Sequence, residues 1–203
     1  MEGSLRVEPG DFPDPEFDPL AEGEGVAVLA GGCFWCTEAV FKELDGLLSV
    51  RPGYAGDVAE KADYRAVCSG ATNHAEAIEV RYDPKRLTFG QILKIFFSVA
   101  HDPTQLNRQG NDRGRQYRSA VFYGSDNQKA VAKAYLAQLG RARVFGAPIV
   151  TTLEPLNGFY VAEDCHHDYA ARNPMEPYVV HVSRPKVEKL RRHFGDKLRS
   201  DKP

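Results

Sequence analysis

Two thiols three residues apart are the first chemistry this chain offers. Cys33 and Cys36 lie in Gly31-Gly32-Cys33-Phe34-Trp35-Cys36. A C-x-x-C pair can attack an electrophile, close an internal disulfide or hold a metal. On a helix start the two Cα atoms stand about 5–6 Å apart, which suits a disulfide. The unpaired N–H groups and positive dipole end of a helix N-terminus would lower the pKa of a cysteine placed there, so a Cys33 thiolate is predicted. The two glycines let the backbone turn tightly and leave Cys33 accessible, beside the chain's one tryptophan, Trp35. A zinc site would need Cys165 with His166 or His167 as the second ligand pair. Cys165-His166-His167 lacks the spacing of a zinc knuckle, so no metal is expected.

The flanking residues supply that helix start. Residues 26–30 are a short apolar run suited to a buried strand, ended by Gly31-Gly32. Cys36, Val40, Leu44 and Leu47 then form one helical stripe, which should stop near Gly46. Residues 48–54, 75–82 and 119–123 read as further strands. Between the last two, Thr88 and Gln91 form a capping box that opens a helix with Phe89, Ile92, Leu93, Phe96 and Val99 on its apolar side. The order β-α-β-β-α-β predicts an α+β, two-layer ferredoxin-like fold of the split β-α-β kind. A helix at 126–139, a strand at 149–153 and a short helix at 163–171 are predicted additions. The polar stretch 101–118 shows no period; a loop of that length between strong elements is read as functional.

Residues 1–24, with four prolines among acidic residues and glycines, read as an extended N-terminal arm. Residues 25–203 then form one catalytic domain ending in a basic helix, its apolar side Val187, Leu190, Phe194 and Leu198. A formal charge of -2 gives no global field for nucleic acid or anionic lipid. No apolar run is long enough to span a membrane, and the N-terminus lacks the pattern of a secretory signal. A cytoplasmic monomer is the expectation.

Several ordered segments resemble one family. Gly32-Cys33-Phe34-Trp35 with Thr37-Glu38 looks like the active-site motif of type A peptide methionine sulfoxide reductases. Tyr64-Arg65-Ala66-Val67-Cys68-Ser69-Gly70, His74-Ala75-Glu76, His101-Asp102-Pro103-Thr104, Gln109-Gly110-Asn111-Asp112 and Gln116-Tyr117-Arg118-Ser119-Ala120 match in the same order. Glu163-Asp164 with His166 and Asp168-Tyr169 resembles the C-terminal motif. The likeness covers roughly residues 26–194.

The resemblance implies reduction of methionine S-sulfoxide, free or in proteins, with no cofactor and with thioredoxin as external reductant. Cys33 would attack the sulfoxide sulfur, release methionine and become a sulfenic acid. Phe34 and Trp35 would receive the methyl group. Glu76 would donate a proton to the departing oxygen, a role its strand parity supports: it shares a face with Ile78, Val80 and Tyr82, where desolvation keeps a carboxyl protonated. Tyr64 and Tyr117 would hydrogen-bond the sulfoxide oxygen, Asp112 would orient water or support the pocket, and His166 would buttress the site.

One departure stands out. Most members compared have glycine at the position of Cys36, and many carry a resolving cysteine after a C-terminal tyrosine. Here that stretch reads Pro177-Tyr178-Val179-Val180. Cys36 is the first candidate to resolve the sulfenic acid and Cys165 the alternative; Cys68 reads as a buried structural thiol. The rival function is a thioredoxin-like disulfide oxidoreductase, which leaves Glu76, Tyr64, Asp112 and Tyr117 without a purpose.

Overall fold

The computed structural model describes residues 5–200. Its centre is β1 (Gly25–Gly31), paired antiparallel on both edges and buried at every residue but Val26. A strand covered on both faces needs no polar alternation, which is why 26–30 is uniformly apolar. Around it run α1 (Phe34–Phe41), β2 (Leu47–Ala55), α2 (Tyr64–Cys68), β3 (Ala75–Tyr82), α3 (Phe89–Ile95), β4 (Arg108–Gln109), β5 (Asp112–Arg113), β6 (Ser119–Tyr123), α4 (Asp126–Ala142), β7 (Thr152–Pro155), β8 (Phe159–Val161), α5 (Tyr169–Arg172) and α6 (Arg184–His193). Six strands form one mixed sheet in the order β7-β6-β1-β3-β2-β8, with only β6 and β7 parallel. This is an α+β fold.

The sheet's two faces differ. On one, Ala27, Leu29, Ile78, Val80 and Val121 pack into the main core with Val40, Phe41, Ile92, Leu93, Phe96, Val131 and Leu139 from the helices. The other is lined by small residues, Ala30, Ala55, Ala75, Ala77 and Ala120 with Val28 and Phe122, and is covered by Leu156 and Phe159. The large residues therefore sit where helices can interlock with them, and Glu76 lies on that same side as Ile78 and Val80.

Several expectations shift by a few residues. The predicted α1 stops at Phe41 rather than near Gly46, because the stretch after it pairs elsewhere: Asp45 N donates to Lys197 O at 2.8 Å, and Leu44 bridges Leu198. The capping box of α3 forms as read, but the last turn widens into a π turn over Phe96–Ala100. The strand expected at 149–153 is displaced to Thr152–Pro155. The helix expected at 163–171 is split into a 3-10 turn, Asp164–His166, and α5 by Asp168 at φ 54. Glu38 causes that break: both its carboxylate oxygens accept from Asp168 N, at 3.0 and 3.2 Å, while Lys42 bridges Glu38 and Asp168. The basic tail helix expected over 186–202 starts earlier, after a wide turn Val179–Ser183, and ends at His193; residues 201–203 lie outside the described residues.

The stretch 101–118 is not an unstructured loop. Gln109 clamps it, accepting from Asp102 N at 3.0 Å and donating to Asp102 O at 2.6 Å. The hairpin β4–β5 forms within it. His101 fastens its start, with Nδ1 on Phe96 O at 3.0 Å and Nε2 on Ser119 Oγ at 2.7 Å. Burial holds that imidazole neutral, its pKa lowered to about 3. The proline-rich arm holds a 3-10 turn, Pro9–Asp11, buries Phe12 in the core and is anchored again from residue 13 to 18. Tyr135 and Gln138 donate to Pro13 O and Asp14 O, and Asp18 accepts from Gly90 N at α3. Among the described residues no helix is long and apolar enough to cross a membrane.

Gly32 is the tightest point between sheet and hairpin. Its φ is +86, and a Cβ there would lie 2.5 Å from Gln109 Cγ. Gly32→Ala should therefore destabilise the fold by about 1–3 kcal/mol through backbone strain and overlap, read as a lower denaturant midpoint at unchanged slope.

Candidate active site

Cys33 occupies the N-cap of α1, at the end of β1, as the C-x-x-C reading placed it. It is half-buried; Cys36, one turn on, is fully buried, and both are free thiols. Their sulfurs share a hydrogen bond. The expected depression of the Cys33 pKa is not what surrounds it. Burial pushes Cys33 well up, and Cys36 and the nearby Glu76 add to this. Cys36 is the depressed partner, lowered to about 6, first because the Cys33 S–H donates to it and then because Lys186 is close. Of the two thiols, Cys36 is the one whose neighbours favour the thiolate. A helix start was the signal in the sequence; burial and the neighbouring thiol act against it at Cys33.

Glu76 projects from β3 to the start of α1, only 2% exposed, and its Oε2 accepts from Phe34 N at 3.1 Å. Burial raises its pKa to about 8; the single backbone donor opposes this without cancelling it. The carboxyl is thus protonated at neutral pH, as strand parity predicts.

The two phenols converge on the same place. Tyr64 begins α2, whose N-cap Asp63 accepts from Ala66 N at 3.1 Å. Its hydroxyl pairs with Cys68 and lies near Glu76 and Cys33. Tyr117, on the turn before β6, has Glu76, Cys68, Cys33 and Asp112 as its electrostatic neighbours. Burial raises both phenols, so they remain hydroxyl donors. Cys68 was read as a buried structural thiol; it is half-buried at the edge of this cluster and pairs with Tyr64.

The aromatic residues divide. Phe34 is 1% exposed and packs on Tyr54 and His166, with ring centroids 5.8 and 5.3 Å away. Trp35 is half-buried, its indole stacked on Tyr169 at 3.7 Å and 9°, and its Nε1–H donates to His166 Nδ1 at 3.2 Å. The His166 ring also lies 4.3 Å from the Tyr64 ring, so it contacts both residues. Glu163 completes the support, accepting from Tyr54 OH at 2.7 Å and Tyr64 N at 2.9 Å.

Asp112 reaches the thiols through a residue the sequence reading left without a role. Tyr178 OH donates to Asp112 Oδ2 at 2.5 Å and lies 3.7 Å from Cys36 Sγ. It stands in the stretch singled out for lacking a cysteine. Tyr169 and Glu163 were likewise quoted in a motif but given no work; a tyrosine three residues from a conspicuous histidine was the only clue. Cys165 is exposed on its turn and is not among the groups acting on Cys33. Among the described residues no three His, Cys, Asp or Glu side chains are grouped so that they could hold a metal ion together.

A buried dithiol faces a protonated carboxyl and two phenols, and residues 25–198 match the peptide methionine sulfoxide reductase family model. The chain belongs to that family. The reductase is 47% identical to peptide methionine sulfoxide reductase MsrA 2 of Synechocystis, over 98% of this chain and 96% of the relative. It is 51% identical to MsrA of Deinococcus radiodurans over 85% and 84%. Among solved structures, Mxr1 of Saccharomyces cerevisiae in reduced form superposes with a TM-score of 0.69 at 37% identity, covering 79% of this chain and 90% of that one. Methionine sulfoxide reductase A of Corynebacterium diphtheriae gives 0.65 at 33%, over 86% and 88%. A structure of Mxr1 in complex with Trx2 gives 0.50 at 30%, over 76% and 89%. The reductase thus acts on methionine sulfoxide.

The charge assignment is checkable without substrate. Ultraviolet thiolate absorbance of the reduced reductase should titrate with a midpoint near 6. Cys36→Ser should abolish that transition; a Cys33→Ala variant should move it upward by removing the S–H donor. A midpoint near 6 that survives Cys36→Ser would put the charge on Cys33 instead.

Proposed function

We propose that this chain is a peptide-methionine (S)-S-oxide reductase in which the Cys33-Phe34-Trp35-Cys36 segment supplies both attacking and resolving sulfurs. The single observation that carries the reading is the meeting of a protonated, buried Glu76 with the Cys33–Cys36 pair. In the first step the Cys33 sulfur bonds to the sulfoxide sulfur while its proton passes to the Cys36 thiolate. Glu76 gives its proton to the sulfoxide oxygen, with Tyr64 and Tyr117 donating hydrogen bonds as negative charge grows there. The protonated oxygen then passes from the methionine sulfur to the Cys33 sulfur as the substrate S–O bond and the transient S–S bond break, so methionine leaves and Cys33 carries the hydroxyl as a sulfenic acid. One proton has moved from Glu76 to Cys36.

In the second step the Cys36 thiol displaces that hydroxyl, releasing water and closing a Cys33–Cys36 disulfide. Thioredoxin's dithiol then reduces the disulfide by exchange. Support for that partner comes from the solved complex of the yeast relative with Trx2. Cys36 is chosen over Cys165 because it already touches Cys33, while Cys165 is exposed elsewhere. Trp35, braced by Tyr169 and His166, receives the methyl group; the fully buried Phe34 shapes the floor beneath it. Asp112 acts through Tyr178.

The same reading takes the four strands β6-β1-β3-β2 with α1 and α3 as the split β-α-β, ferredoxin-like core, the remaining strands being additions. All the groups named lie on one chain, which favours a monomer, and thioredoxin dependence suits the cytoplasm.

Cys33→Ser should abolish methionine release; turnover that persists in that variant would sink the mechanism. Glu76→Gln should lower kcat/KM by about 100-fold or more. It should also remove the fall in wild-type activity as pH rises through about 8, because only the protonated carboxyl donates. Cys36→Ser should still release one methionine per chain, more slowly for want of the proton acceptor, and then fail to be recycled by thioredoxin. Sustained thioredoxin turnover in Cys36→Ser, lost on adding Cys165→Ser, would move the resolving role to Cys165.

A further inference from the structure

The β4–β5 hairpin has two faces with different tasks. Its register pairs Arg108 with Arg113 and Gln109 with Asp112. Directly paired residues share a face, and successive residues alternate. Gln109 and Asp112 take the inner face, the first beneath Gly32 and the second holding Tyr178 beside Cys36. Arg108 and Arg113 therefore share the outer face, at the margin of the same site.

Two like charges directly opposite one another weaken a strand pair. This hairpin has only two residues per strand, so little else offsets that cost. The Arg108 Nη2 caps the turn by donating to Gly110 O at 3.0 Å, but its Nε is shielded from solvent and has no hydrogen-bond partner. Arg113 is exposed. Among the described residues, neither guanidinium is paired with a carboxylate, a state they share with Arg115 two residues on, whereas six other arginines are paired. The hairpin's own acid, Asp112, faces the other way.

We infer that the outer face of the β4–β5 hairpin, Arg108 with Arg113, anchors a carboxylate of the polypeptide that carries the oxidised methionine, so that the reductase favours acidic sequence around its substrate residue. Guanidinium groups recognise carboxylates through paired N–H donors, and an incoming carboxylate would relieve the repulsion between the two arginines. The reach is right. Arg113 is next in sequence to Asp112, and an extended substrate advances about 3.3 Å per residue, so an Asp or Glu two or three positions from the sulfoxide falls within range of a long side chain. The inference rests on the reading that sulfoxide is reduced at Cys33.

The test uses the full chain with dithiothreitol as reductant. Three blocked peptides each carry one methionine sulfoxide flanked at two and three positions by Asp, by Ala or by Lys. The wild type should show kcat/KM about fivefold higher for the Asp than for the Ala peptide at low salt, expressed in KM. The ratio should shrink toward one at high ionic strength. Arg113→Glu should invert the order, favouring the Lys peptide, while the Ala peptide is still reduced. Should Arg113→Glu lose the Ala peptide too, the hairpin is disturbed and Arg113→Gln decides, since it must lose the acidic preference alone. An Asp-to-Ala ratio that is near one in the wild type, or unchanged in Arg113→Gln, overturns the inference. So does a variant effect confined to the thioredoxin concentration needed for turnover, because the face would then serve the reductant. Failure of the wild type on the Ala peptide would instead strike the Cys33 reading.

Discussion

The contact between the Glu76 carboxyl and the first backbone N–H of α1 is the constraint from which the rest of the site follows. It joins a residue of β3 to the residue after Cys33, and so fixes the distance between acid and thiol. It also sets the balance of the acid itself. One hydrogen bond from an amide is too little to offset the desolvation of a carboxylate, and the group stays protonated. More donors would have made Glu76 an anion and useless for protonating oxygen. Fewer would have left a buried polar group adrift.

Around that contact the molecule arranges two kinds of support. Aromatic rings give rigidity: Trp35 is held by Tyr169 on its face and by His166 at its nitrogen, and Tyr178 meets it edge-on at 6.0 Å. Polar pairs set direction: Glu163 orients Tyr54 and Tyr64, and Asp112 orients Tyr178. Even the distant break in the chain at Asp168 serves the site, since Glu38 imposes the left-handed turn that delivers Tyr169 onto the indole. Side chains that meet no reacting atom are thereby needed for those that do.

The parts readable in the sequence were those governed by local periodicity. Alternation in residues 75–82 placed Glu76 on the core side, and the Thr88–Gln91 box marked the start of α3. Boundaries set by distant partners were not readable. The end of α1 depends on a pairing with residues near 198, and the break at Asp168 on a carboxylate 130 positions earlier. The β4–β5 hairpin escaped notice because two-residue strands have too few positions to show a period. The surroundings of the thiol pair were unreadable for a similar reason. A helix start is visible in a sequence, whereas the burial of Cys33 and the approach of Lys186 arise only when the chain is folded.

The braced indole has a practical consequence. Trp35 is the chain's sole tryptophan, so its emission has one origin, against Tyr169 and edge-on to Tyr178, whose hydroxyl lies beside Cys36. Disulfide closure or an arriving methyl group must alter the surroundings of that one ring. The protein therefore contains its own optical reporter, and each stage of a catalytic cycle can be followed by stopped-flow fluorescence without attaching a label.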